Sequence, residues 1–151
     1  MAHDQAGECV DELRALSIEG FLGYQVRRAS VVIMNDFIET FAELPVRPVS
    51  FSVASVIDDR PGVSSAEICR ILGLQRANIV SVLEKLQSEG FVRRTEAPSD
   101  MRVQRLYLTE AGVDALRSWK ARAMEHENRI FARLDRDERK QLDSLLRKIW
   151  S

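Results

Sequence analysis

Four polar residues recur at helical spacing in one short stretch: Arg76, Asn78, Ser81 and Lys85. Residues three and four apart stack along one face of a helix. Asn78, Ser81 and Lys85 therefore align, with Arg76 in the first turn. These side chains suit base recognition. An amide pairs with adenine and a guanidinium with guanine, each good bidentate contact being worth about 1–3 kcal/mol. Lys85 is better suited to a phosphate. The opposite face of the same segment carries Ile79, Val82, Leu83 and Leu86, which predicts a buried stripe. Taken alone, the pattern reads equally well as an ordinary solvated helix face, because amphipathic helix pairs are common.

The flanking elements shift that balance. Ser64 with Glu67 three residues on predicts a capping box and a helix starting near Ser65. Ile68, Ile71 and Leu72 are its expected apolar face, and Gly73 its stop. Ser64 and Ser65 then sit at a helix N-terminus, a natural seat for a phosphate. The second helix runs from about Gln75 to Glu89. Helix, short glycine turn, helix with a polar outer face is the helix-turn-helix pattern, whose second helix fits the major groove. After Gly90, the run Phe91 to Thr95 reads as a strand, Glu96 to Asp100 as a turn, and Arg102 to Leu108 as a returning strand. The hairpin carries Arg93, Arg94, Arg102 and Arg105 beside the recognition helix, which predicts a winged helix-turn-helix. Thr109 caps the next helix.

Composition bounds the alternatives. A chain of 151 residues is expected to form one domain or one subunit. With 22 basic and 23 acidic residues the net charge is only −1, so a nucleic-acid binder must segregate its charge. It does: arginines gather in the hairpin, while Glu8, Asp11, Glu12, Glu19, Asp36, Glu39 and Glu43 lie toward the N-terminus. Two cysteines, Cys9 and Cys69, stand far apart without a metal-ligand motif, so no metal or cofactor is expected. Cys69 is expected to be a buried, inert thiol. The only histidines are His3, in a tail, and His126, expected on a surface helix. No nucleophile–base pairing or glycine-rich phosphate loop accompanies them, which argues against an enzyme. The apolar runs are too short for a membrane span or signal peptide, so a cytoplasmic protein is expected.

The ends of the chain predict long helices. One spans about Glu19 to Leu44 with two apolar stripes, Leu22, Val26, Ala29, Ile33, Phe37 and Tyr24, Val31, Met34, Ile38, Phe41. A helix apolar on two sides must be covered on two sides. The break at Pro45 to Pro48 leads to a helix from Val49 to Asp59, with Phe51, Ala54 and Ile57 inward. Thr109 to Phe131 carries Ala111, Leu116, Trp119 and Met124. A last helix, capped by Asp135 with Glu138 three residues on, bears the seam Leu142, Leu145, Leu146, Ile149 and Trp150. Apolar-seamed terminal helices around a polar-faced centre predict a homodimer.

The run Leu86-x-x-x-Gly90-Phe91-Val92-x-Arg94, then Asp100-x-Arg102, then Leu108-Thr109-x-x-Gly112, resembles the MarR family of bacterial transcription regulators. The family pattern has an acid where Gln87 stands, Leu at Phe91 and often Arg at Met101, so one wing charge is absent here. The resemblance implies a mainly α (α+β) subunit over residues 1–151. Helices in 1–44 and 110–151 would interleave in a twofold dimer, and 48–108 would form the winged lobe. It also implies a pseudo-palindromic duplex operator with half-sites about 10 bp apart. Arg102 would read the minor groove at the wing tip; Arg93, Arg94 and Arg105 are expected to hold the wing to phosphate or to neighbouring acids. Family members often bind small aromatic anions. Tyr24, Arg27, Arg28, Met34, Phe51, Ser55 and Trp119 are the candidate contacts for such an acid or its coenzyme A thioester. The same residues also read as core and surface ion-pair positions. Two other readings stay open: a repressor switched by oxidation of Cys9, and a winged-helix module that binds protein rather than DNA.

Overall fold

The computed structural model describes residues 17–44, 46–97 and 100–150, without the side chains of 97–103. Among these, six α-helices and one hairpin follow in order: α1 (Leu22–Thr40), α2 (Pro48–Asp59), α3 (Ser65–Leu72), α4 (Arg76–Ser88), β1 (Val92–Ala97), β2 (Asp100–Leu108), α5 (Glu110–Ile130) and α6 (Arg136–Trp150). The architecture is mainly helical with a small two-stranded sheet, as expected. Cys9, His3 and the turn residues Pro98 and Ser99 lie outside the described residues.

The chain divides into a first unit ending at Asn35 and a second beginning at Asp36. In the first, Ser17 accepts from the Glu19 amide at 3.3 Å and opens a 3₁₀ turn, Ile18–Gly20. Phe21 is extended, so α1 begins at Leu22 rather than at Glu19. Its apolar residues Leu22 (82% exposed), Val26, Val31 and Met34 face outward in the single chain.

The second unit holds the core. Phe37 and Phe41 stack with ring centroids 4.2 Å apart. Val53, Ala54 and Ile57 of α2, Ile68 of α3, Ile79, Leu83 and Leu86 of α4, Val92 and Leu106 of the hairpin, and Leu116 and Trp119 of α5 complete one cluster. The expected stripes of α2 and α4 thus face the core, with Phe51 and Val82 half-buried at its edge, and Cys69 is buried as expected.

Four expectations need correction. α2 starts at Pro48 rather than at Val49, the proline taking the first helical position, where a missing N–H costs nothing. Ile71 is exposed, because the apolar face of α3 is completed by Cys69 and Leu72 instead. Ala111 and Met124 (61% exposed) point away from the α5 core stripe of Leu116 and Trp119. His126, expected at the surface, is only 3% exposed. Its Nδ1–H donates to Asp36 at 2.6 Å, since an ionised carboxylate only accepts. Arg129 grips the same carboxylate through Nε at 2.9 Å and Nη2 at 2.7 Å, and Nη2 also reaches the Thr40 hydroxyl. The polar network ties the last turn of α1 to α5.

Each boundary near the hairpin has a local cause. Ser64 accepts from the Glu67 amide at 3.3 Å while Glu67 accepts from the Ser64 amide at 2.9 Å, so the capping box is formed. Gly73 ends α3 at φ 63°, a left-handed conformation that disfavours any side chain with a Cβ. Thr109 accepts from the Gly112 amide at 3.0 Å and donates to the Gly90 carbonyl at 2.6 Å. The same side chain therefore caps α5 and fastens it to the end of α4. Asp135 accepts from the Glu138 amide at 2.9 Å and Glu138 from the Asp135 amide at 2.8 Å, a second capping box.

Candidate nucleic-acid interface

α4 presents one solvated side. Arg76, Asn78 and Ser81 are exposed, whereas Ile79, Leu83 and Leu86 anchor the helix to the core. The Ser81 hydroxyl donates to the Asn78 carbonyl at 3.3 Å. Lys85 is half-buried and lies 3.7 Å from Glu89, one turn along.

The wing is held against this helix by backbone bonds. The Phe91 amide donates to the Leu86 carbonyl at 2.9 Å, leading directly from α4 into β1. β1 and β2 pair antiparallel from Val92↔Leu108 to Glu96↔Gln104, with a register shift at Glu96/Ala97. On its other edge β2 meets the segment before α3. Gly62 donates to the Leu106 carbonyl at 2.8 Å, and Leu106 to the Val63 carbonyl at 3.1 Å. The root of the hairpin is therefore hydrogen-bonded to the helix-turn-helix on both sides.

The wing arginines have separate settings. The Arg93 guanidinium stacks 4.6 Å above the Tyr107 ring. Arg94 donates to Gln104 Oε1 at 3.0 Å, across the two strands. Arg105 turns back to the root, donating to the Gly62 carbonyl at 3.1 Å with Glu67 at 3.7 Å. The Ser64 hydroxyl and amide, with Arg105 adding charge, hold the Glu67 carboxyl below its ordinary value. Ser64 is thus committed to Glu67, while Ser65 is exposed. The Arg102 side chain lies outside the described residues.

Ser65, Val80, Leu83, Arg94, Gln104 and Leu106 line a cleft of about 80 Å³ where the N-terminus of α3, the side of α4 and the wing converge. Helix N-terminal amides, a hydroxyl and a guanidinium together suit a phosphate oxygen. Val80 and Gln104 were missed in the sequence, although Val80's exposure on an otherwise apolar-anchored helix follows from its position one residue off the buried stripe.

The aromatic-ligand candidates fall on several elements. Tyr24, Arg27, Arg28 and Met34 belong to α1 in the first unit, Tyr24 half-buried and the other three exposed. In the second unit, Phe51 is half-buried beside Phe37 and Phe41, with centroids at 5.9 and 6.1 Å. Ser55 donates to the Phe51 carbonyl at 2.9 Å. Trp119 is 3% exposed and meets Phe91 edge-on at 5.3 Å. Among the described residues, no group of three or more His, Cys, Asp or Glu is placed to hold a metal ion, and no helix is long and apolar enough to cross a membrane.

Comparison with known proteins agrees with this geometry. A profile of the MarR family matches residues 44–102. A transcriptional regulatory protein for the hcr operon of Thauera aromatica is 30% identical over 135 residues, 89% of this chain and 81% of that one. The transcriptional repressor CouR bound to a 23-mer DNA duplex superimposes with a TM-score of 0.84 at 36% identity, over 89% of this chain and 95% of that one. CouR bound to p-coumaroyl-CoA gives 0.78 at 34% identity, over 89% and 96%.

Proposed function

This chain belongs to the MarR family of transcription regulators, and from that premise we propose that it works as a twofold dimer repressing a pseudo-palindromic operator, released by an aromatic acid or its coenzyme A thioester. Its relatives are named as transcriptional regulators and repressors. The observation that carries the reading is the convergence of α4, the α3 N-terminus and the wing on one small cleft that holds Ser65, Arg94 and Gln104 among apolar neighbours, with Arg76, Asn78 and Ser81 exposed on the same α4.

In this reading Arg76, Asn78 and Ser81 meet base edges, while Lys85, Arg94 and Ser65 hold phosphates. Ser64 serves them indirectly, by capping α3. Arg102 takes the minor groove. Two such lobes need a second subunit, and the exposed apolar residues of α1 and α6 supply its contact surface.

The effector is the aromatic class because CouR, at 34% identity, binds p-coumaroyl-CoA. In the first unit Arg27 and Arg28 offer charge for a carboxylate or the coenzyme's phosphates, with Tyr24 and Met34 on the same helix; in the second, Phe51 and Ser55 are half-buried, whereas Trp119 belongs to the core and is withdrawn as a ligand contact. Ligand would act by favouring one separation of the two recognition helices over another.

The test is anisotropy of labelled duplexes from the DNA flanking its gene, at several salt concentrations, then titration with p-coumaroyl-CoA and free aromatic acids. Salt-dependent binding reversed by one of these ligands is expected. Absent or salt-insensitive binding would favour a protein-interaction module. Binding released by none of the ligands would discard the aromatic class.

A further inference from the structure

We infer that Glu84 is a specificity-determining residue, accepting a hydrogen bond from the exocyclic amino group of a cytosine in the major groove. The inference rests on the DNA-reading role proposed for α4. Ile79, Leu83 and Leu86 fix the buried side of that helix. At about 3.6 residues per turn, the line of residues diametrically opposite is Ala77, Ser81, Glu84 and Ser88, all of them exposed.

Three of these four are small, which lets the helix approach the groove floor closely. The Ser81 and Ser88 hydroxyls also turn back onto their own helix, donating to the Asn78 and Lys85 carbonyls at 3.3 and 2.8 Å. Glu84 is then the one long side chain on the outermost line. Among the described residues it enters no ion pair, since its neighbour Lys85 is directed to Glu89.

A carboxylate is an acceptor only. Between two phosphate backbones it is repelled unless it meets a donor. The major-groove donors are cytosine N4 and adenine N6, and adenine sets the N7 acceptor beside its amino group. Guanine offers O6 and N7, and thymine O4, all acceptors. Cytosine is the base that an unpaired carboxylate tolerates best. The charge lowers affinity for every sequence and lowers it least where that cytosine stands, so Glu84 yields discrimination at the expense of general affinity.

A randomised duplex library selected in parallel on the full chain, Glu84→Gln and Glu84→Ala tests this. The wild-type protein is expected to enrich one cytosine per half-site. Both variants should lose that preference by about tenfold, while binding unselected duplex several times more tightly. Equal tightening for all sequences with unchanged base preferences, or a change confined to another base, would overturn the role of Glu84. Enrichment of no sequence by the wild-type chain would instead remove the DNA-reading function itself, and this inference with it. Unchanged melting temperatures would confirm that the exposed substitutions leave the fold intact.

Discussion

Gly112, in the first turn of α5, lies so close to Phe91 that a Cβ built on it would stand 2.0 Å from the Phe91 carbonyl oxygen. That carbonyl also accepts from the Thr109 amide at 3.0 Å, so it cannot move aside without breaking the junction. The Leu-Thr-x-x-Gly run is thereby explained: Thr109 caps the helix, and Gly112 lets the helix start lie against the start of the wing.

Gly112→Ala should therefore destabilise the fold by about 3 kcal/mol, the upper end of ordinary overpacking. On helix propensity alone the same change would stabilise by about 1 kcal/mol. Urea unfolding of the two proteins decides between these signs.

Asp36 sets a pH dependence. Hydrogen bonds from Arg129 first, and His126 second, lower its carboxyl from 3.8 to about 2. A depressed folded-state value means that its stabilising contribution is fully present above the unfolded value and is lost as pH falls from about 4 toward 2. Asp36→Asn should lower the urea midpoint at pH 7, with the gap to wild type closing as pH falls through that window. A gap constant with pH would remove Asp36 from the acid response.

Wing and helix should separate by their salt dependence. Losing one phosphate contact lowers the log–log salt slope by about 0.9. Lys85→Ala and Arg94→Ala should each weaken binding to all duplexes alike and flatten that slope. Asn78→Ala should weaken the cognate duplex by about 1–3 kcal/mol with little effect on random DNA. Arg102→Ala should do both, as a minor-groove cation; unchanged affinity and slope would reject its role.

Self-association should depend on α6. Leu145, Leu146, Ile149 (73% exposed) and Trp150 leave an apolar seam open in the single chain. Ile149→Glu should raise the dimer dissociation constant at least tenfold, about 1.4 kcal/mol, in sedimentation equilibrium, and weaken operator binding in parallel. A variant as dimeric as wild type would place the subunit contact elsewhere.

Much of the interface was legible because its determinants are local. A capping box needs residues three apart, and Ser64/Glu67 and Asp135/Glu138 both formed as the spacing requires. Helical period alone separated Ile79, Leu83 and Leu86 from Asn78 and Ser81. The turn residues and alternation placed the hairpin within a residue or two of its ends.

Tertiary structure alone decided what is joined across long stretches of chain. Asp36 and His126 stand ninety residues apart, and nothing local marks either as half of a buried pair. His126 therefore read as a surface residue until α1 and α5 were brought together. The arginines of the wing are identical in type, yet one stacks on Tyr107, one bonds Gln104 and one turns back to Gly62. Sequence counted their charge, a property each residue carries with it. Their roles depend on which neighbours the folded backbone puts within about 3 Å for a hydrogen bond or about 6 Å for a ring face, and those distances exist only once the chain has closed on itself.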